Sequence, residues 1–269
     1  MCYRILLLCI LSTSLLGAEP NKDLHTQCIY PTVQLNFNNG SITTGTIVLS
    51  KKDPQKDVFY NVGLTVSHGV YDRNVKIKFY SYKDWSEIAY TTVYNGVVYY
   101  TNTKQDLAIF VFMTDKEMPC AKLAAPKQPL YMGQEITKIG CGLGDPPRLD
   151  FGYISGVNRK FTHTYRRTQL SIYTVYGDSG SAIFDKNNNE IIGVLQSIRL
   201  EKGREDLPPY HNIAFALDIN KLYELIQTED GGLDFVTGGD FPVLPWFELR
   251  SNSWNENIRA IPDNPWIHN

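Results

Sequence analysis

Gly177-Asp178-Ser179-Gly180-Ser181-Ala182 lies between two apolar, strand-like runs, 168–173 and 182–184. Serine is a weak nucleophile until a neighbouring base takes its proton. Glycines on both sides of it allow a tight turn and bring backbone N–H groups close to a reacting atom. Ser179 is therefore a candidate nucleophile, and the amides of Gly177 and Ser179 are candidates for an oxyanion hole. Gly, Asp and Ser are also ordinary turn residues, so the stretch takes its meaning from its surroundings.

Those surroundings read as β structure. Further strands are expected over 33–37, 43–49, 58–66, 75–80, 88–93, 97–101, 107–113, 136–140, 191–198 and 213–217. Asn39-Gly40 marks a hairpin, because both residues tolerate positive φ. Many short strands at fairly even spacing point to a sandwich or to barrels. One helix is expected, over 219–227. Asp218 stands at its N-cap position, and Ile219, Leu222, Tyr223 and Ile226 share one face.

Two more segments bear on Ser179. Leu64-Thr65-Val66-Ser67-His68-Gly69 puts His68 at the end of an apolar strand. The other four histidines, His25, His163, His211 and His268, close no such strand. In Gln105-Asp106-Leu107-Ala108-Ile109-Phe110 a carboxylate opens an entirely apolar strand. Desolvating it is costly unless it accepts good hydrogen bonds, and an imidazole N–H is one suitable donor. His68, Asp106 and Ser179 follow one another in the order general base, orienting carboxylate, nucleophile.

Composition narrows the setting. The 269 residues are enough for a sizeable core, and the formal net charge is −2. No basic face of the kind nucleic-acid binding needs is evident. Arg4, the apolar run 5–16 and Gly17-Ala18 read as a signal peptide over 1–18. Its removal leaves 25 basic and 28 acidic residues, a charge of −3. No later segment reads as transmembrane. Cys28, Cys120 and Cys141 remain, with no zinc-type spacing, and no metal or cofactor is expected. After residue 228 the chain becomes rich in Gly and Pro and carries Trp246, Trp254 and Trp266. This extension, 229–269, is expected to pack back on the body or onto a partner.

Together these segments resemble the chymotrypsin (trypsin-like) serine protease family. Thr65-Val66-Ser67-His68 resembles the family's histidine segment, and Asp106-Leu107-Ala108-Ile109 resembles its aspartate strand. Gly177-Asp178-Ser179-Gly180 matches its serine motif. Ile192-Gly193-Val194-Leu195-Gln196-Ser197 is similar to the strand that follows the nucleophile, and the helix from Ile219 is similar to its C-terminal helix. The resemblance implies an all-β fold of two six-stranded antiparallel β-barrels with a C-terminal amphipathic helix, spanning 19–228 with a crossover near 120–131. It implies a serine endopeptidase using Ser179, His68 and Asp106 on protein or peptide; the leader makes it secreted or periplasmic, and a monomer is expected. A catalytically silent binding protein of the same fold and an esterase-like acyl hydrolase remain open.

The same resemblance implies a primary specificity pocket near Tyr173, Thr174, Gln196, Ser197, Ile198 and Phe215. None is acidic, and no histidine stands beside Gln196 in the sequence, so an uncharged residue is expected at the cleavage site. It also implies a disulfide between Cys28 and Cys120. Cys141, inside Ile139-Gly140-Cys141-Gly142, is expected to be a buried free thiol, because cysteine is among the most often buried residue types. Departures are as informative. Gly69 follows His68 where the family has Cys. No Ile-Val-Gly-Gly activation sequence follows the leader, so the partner of Asp178 is not given by the family pattern. The compact spacing suggests a bacterial or viral-like branch that needs no activating cut.

Overall fold

The computed structural model describes residues 21–83, 85, 87–160, 166–199, 210–228 and 233–237. The expected leader, His163, His268 and the three tail tryptophans lie outside these residues. A helical turn, Lys22–Leu24, runs into a π-helical turn, His25–Ile29. Twelve strands follow.

The first six are β1 (Thr32–Phe37), β2 (Ile42–Lys52), β3 (Phe59–Thr65), β4 (Asn74–Lys83), β5 (Glu87–Asn102) and β6 (Leu107–Thr114). They close into one antiparallel barrel in the order β1-β2-β3-β6-β5-β4. The second six are β7 (Glu135–Gly140), β8 (Arg148–Lys160), β9 (Arg166–Ser171), β10 (Ala182–Asp185), β11 (Ile191–Arg199) and β12 (Tyr210–Asp218). They close in the order β10-β11-β12-β9-β8-β7. The mostly β fold of two six-stranded barrels is as expected.

The continuous apolar run of β6 has a simple cause. Side chains of a strand alternate between its two faces, and here both faces are buried. Ala108, Phe110 and Phe112 join the core of the first barrel. Leu107, Ile109 and Val111 join a second cluster, which also holds Ile139, Ala182, Val194 and Leu195 of the other barrel. One apolar core thus runs across the barrel interface and fixes the strand that follows Asp106 against the strands that flank Ser179. Gly63 makes room for this packing: a Cβ there would lie 2.1 Å from the Phe110 ring.

Residues 115–134 cross between the barrels and are tied to both. Ala121 N–H donates to Ile47 O at 2.8 Å, and Ala124 N–H to Ile191 O at 2.9 Å. The helix α1 (Ile219–Thr228) closes the domain. Ile219, Leu222 and Ile226 are buried, Asp218 Oδ1 accepts the Asn220 N–H at 2.9 Å, and Tyr223 donates to Ala124 O at 2.9 Å. Beyond it, a short 3-10 turn, Asp234–Thr237, brings Phe235 against the Tyr99 ring of β5, with centroids 5.3 Å apart.

Three expectations are corrected. The strands read at 88–93 and 97–101 are one strand, β5, running through Asn95-Gly96 without a turn. Gly96 serves crowding there, since a Cβ would lie 2.5 Å from Ile77 Cδ1 and 2.9 Å from Val111 O. β8 was not anticipated, because Gly152 and Gly156 interrupt its pattern; a Cβ at Gly152 would meet Ser171 O at 2.3 Å. Finally, Cys28, Cys120 and Cys141 are all free. Cys28 packs in the inter-barrel core, whereas Cys120 adjoins the first barrel's core and donates to Met118 O at 3.3 Å. They belong to different packing units, and no Cys28–Cys120 bond forms.

Candidate active site

The carboxylate of Asp106 is held before any substrate arrives. Asp106 sits in the turn between β5 and β6 with φ of 54°, a left-handed conformation that a non-glycine residue adopts at some energetic cost. The turn after β3 encloses its side chain. Oδ1 accepts the Ser67 N–H at 3.1 Å, the Ser67 hydroxyl at 3.1 Å and the His68 N–H at 2.9 Å. His68 Nδ1 lies 2.9 Å from Oδ2 and 3.1 Å from Oδ1. With Nδ1 bound to a carboxylate, the proton resides there and Nε2 is free to act as base.

Ser179 enters from the other barrel on a turn that only glycines permit. Gly177 and Gly180 have φ of 94° and 91°. A Cβ on Gly180 would stand 2.0 Å from Thr44 O and 2.4 Å from Thr65 Oγ1, so the turn presses directly on the first barrel. Thr44 fastens it from that side. Its N–H donates to Ser179 O at 2.8 Å, and its hydroxyl donates to Gly177 O at 2.8 Å. The Gly180 N–H donates to Leu195 O at 2.8 Å. Neither the Gly177 nor the Ser179 N–H donates to a protein acceptor among the described residues. The Ser179 hydroxyl donates to Gln196 O at 3.3 Å; no Ser179–His68 hydrogen bond occurs. Such contacts are commonly loose without substrate and tighten when it binds.

The partner of Asp178 is Lys138. Both side chains are fully buried, at 0% exposure. Lys138 rises from the middle of β7 and its Nζ donates to Asp178 Oδ2 and, at 2.7 Å, to Tyr173 O. Asp150 lies 3.0 Å from the same ammonium, and Arg148 3.4 Å from Asp178. Asp178 Oδ2 also accepts the Val175 N–H at 2.9 Å. Two cations and two anions thus balance beneath the turn that carries Ser179. A lysine inside the apolar strand 136–140 was the available sequence signal for this cluster, and it was missed.

The six expected pocket residues divide. Thr174, Gln196 and Phe215 are buried, Ser197 and Ile198 half-buried, and Tyr173 exposed at 51%. The Gln196 side chain is committed elsewhere. Its amide donates to Gln105 O and, at 3.0 Å, to Asp106 O, while its Oε1 accepts from the buried Arg167. It braces the Asp106 backbone from the second barrel. His211, not anticipated here, is brought beside Thr174: the Thr174 N–H donates to His211 O at 2.8 Å, and His211 Nδ1 donates to Thr174 O at 2.8 Å. Its ring lies 5.8 Å from that of Tyr173. A backbone hydrogen bond from Thr174 to His211 at the start of β12, invisible in the sequence, makes this contact.

Burial pushes the Cys28 and Cys120 thiols up to about 12, and Cys141 higher still, with Asp178 adding to the effect on Cys141. None is suited to act as a nucleophile. No group of three or more His, Cys, Asp or Glu that could hold a metal occurs among the described residues. No helix among them is long and apolar enough to cross a membrane.

The family model described as trypsin-like peptidase domain matches residues 39–194, which contain His68, Asp106 and Ser179. No curated protein sequence matches the chain. Among solved structures, a serine endoprotease from Yersinia pestis superposes with a TM-score of 0.57 at 15% identity, covering 77% of this chain and 65% of that one. An HtrA-type protease, AlgW, solved as a serine-to-alanine variant with a tripeptide, superposes with a TM-score of 0.59 at 16% identity, covering 77% of this chain and 62% of that one. At such identities the likeness is one of fold, and the chain spans less than two thirds of either structure's length.

Proposed function

The chain belongs to the trypsin-like peptidase family, and from that premise we propose that it is a secreted serine endopeptidase working through an acyl-enzyme on Ser179. His68 takes the Ser179 proton as the hydroxyl attacks the scissile carbonyl, then returns it to the leaving amine. Asp106 keeps the imidazole in the tautomer with Nε2 free and stabilises its charged form. The amides of Gly177 and Ser179 receive the oxyanion. Water then attacks the acyl-enzyme with His68 again as base. The observation that carries this reading is the seating of Asp106, whose carboxylate receives two N–H donors and a hydroxyl besides the imidazole. That arrangement supports a carboxylate fixed in place to orient the imidazole.

Residues 1–18 serve as the export signal in this reading. Activation needs no internal cut, because Lys138 supplies within the chain the buried cation that Asp178 requires. Thr174, Ser197, Ile198 and Phe215 favour an uncharged side chain at the cleavage site. A fluorophosphonate probe tests the proposal. It should label the chain that starts at residue 19 and fail to label the Ser179→Ala variant. Well-folded protein that stays unlabelled both before and after limited proteolysis would instead support a silent binding protein.

A further inference from the structure

A cleft of about 340 Å³ opens where the turn after β5 meets β8, β9 and the start of α1. Its lining holds Lys104, Arg166, Arg167 and Lys221 against a single carboxylate, Asp218. In a chain of formal net charge −2, this is a local reversal of sign inside a concave surface, where field lines are focused.

The cleft has a structural origin in β8. The ladder pairs Gly156 with Gln169 and next Arg159 with Arg167, so Val157 and Asn158 stand outside it. Asn158 adopts φ of 54°, and its carbonyl accepts from Arg166 Nη1 at 3.0 Å. This bulge places Val157 and Asn158, outside the ladder, on the wall of the opening. The Arg167 side chain, in a residue only 5% exposed, donates to Gln105 O at 3.3 Å and to the Gln196 amide oxygen. Lys104 and Arg166 are exposed and take part in no ion pair among the described residues. Lys221 is shared with Glu224 at 2.6 Å. Asp218 directs Oδ1 to Asn220, through its N–H at 2.9 Å and its amide at 3.0 Å.

We propose that this cleft is an exosite for an acidic peptide segment. Its cations suit clustered carboxylates. The Val157–Asn158 backbone, outside the ladder, offers partners for a peptide main chain, and the Val157 side chain gives an apolar wall for side-chain stems. A bare inorganic anion would use the cations alone. The biological sense of the site rests on the peptidase reading, since Gln105 adjoins Asp106 and a polypeptide seated here would lie beside the triad. The binding itself does not depend on turnover.

The test uses the chain from residue 19 carrying Ser179→Ala, with fluorescein-labelled hexaglutamate as probe, hexaglutamine as the neutral control and inorganic phosphate as competitor. Saturable, salt-sensitive binding of hexaglutamate alone is expected. K104Q/R166Q, two changes at exposed positions, should weaken it about tenfold or more, and D218N should strengthen it about threefold. No saturable binding, or binding that survives K104Q/R166Q unchanged, would overturn the proposal. So would full displacement by phosphate at matched anion concentration, which would mark a simple oxyanion site. Failure of the peptidase reading shows itself separately, as unlabelled wild-type protein that still binds the probe.

Discussion

Lys138→Met removes the ammonium beneath the Ser179 turn while keeping most of the side-chain volume. Asp178 would then retain, on Oδ2, the Val175 N–H at 2.9 Å and the Arg148 guanidinium at 3.4 Å, within a site at 0% exposure. Breaking a buried pair by deleting one partner costs about 3–5 kcal/mol. That is a large part of the 5–15 kcal/mol by which domains are typically stable. The loss should appear as a lowered guanidinium midpoint at neutral pH. Tyr173 O also loses its donor, so the 173–179 segment should loosen before the barrels do. Fluorophosphonate labelling is therefore expected to fall under conditions where the variant is still folded. Asp178→Asn in the Lys138→Met background should recover at least half of the lost stability, since the stranded charge is gone. A midpoint shift worth less than about 0.5 kcal/mol, the scale of an ordinary surface change, together with undiminished labelling, would refute the reasoning.

Three further outcomes are expected. Asp106→Asn should lower kcat about 10⁴-fold with little change in KM, because the amide no longer enforces the right imidazole tautomer; steady-state hydrolysis of a peptide library hit checks it. Iodoacetamide at pH 8 should leave Cys28, Cys120 and Cys141 unmodified in the native protein, since thiols pushed up to about 12 or beyond hold about one thiolate in 10⁴ or fewer. All three should react in denaturant without reductant, and two unreactive thiols there would restore the disulfide. Burial raises the Asp218 carboxyl, with the Asn220 hydrogen bonds opposing it. A raised folded value means that protonation favours the folded state. This contribution is present at acid pH and is lost as pH rises through the raised value. The stability of Asp218→Asn relative to wild type should therefore increase across that range and then level off, as followed by thermal unfolding against pH.

Much of this architecture could be read from local patterns, because the relevant signals are local. Asn39-Gly40 dictates its hairpin, and the glycines around Ser179 dictate its turn. The apolar run after Asp106 marks a strand buried on both faces. What escaped the sequence depends on contacts between distant strands. Gly96 and Gly152 looked like interruptions, yet each lies within a continuous strand and is small because a neighbouring strand approaches it closely. Lys138 reads as an ordinary strand lysine until β7 is placed under the turn that carries Asp178. Gln196 was assigned to the pocket from its place after the nucleophile, but its amide reaches across the interface to the Asp106 backbone. His211 becomes a neighbour of Thr174 only through the fold, which brings the start of β12 against Thr174. Cys28 and Cys120 looked pairable by analogy, and burial in separate packing units keeps them apart.

The central claim is an activated Ser179 in a chain that needs no internal cut. Its most direct test is the intact mass and peptide map of protein starting at residue 19 after treatment with a fluorophosphonate. The account predicts one adduct per full-length chain, located on Ser179 and abolished by His68→Ala. An adduct found only on chains with a new internal N-terminus, or located on another residue, would contradict it.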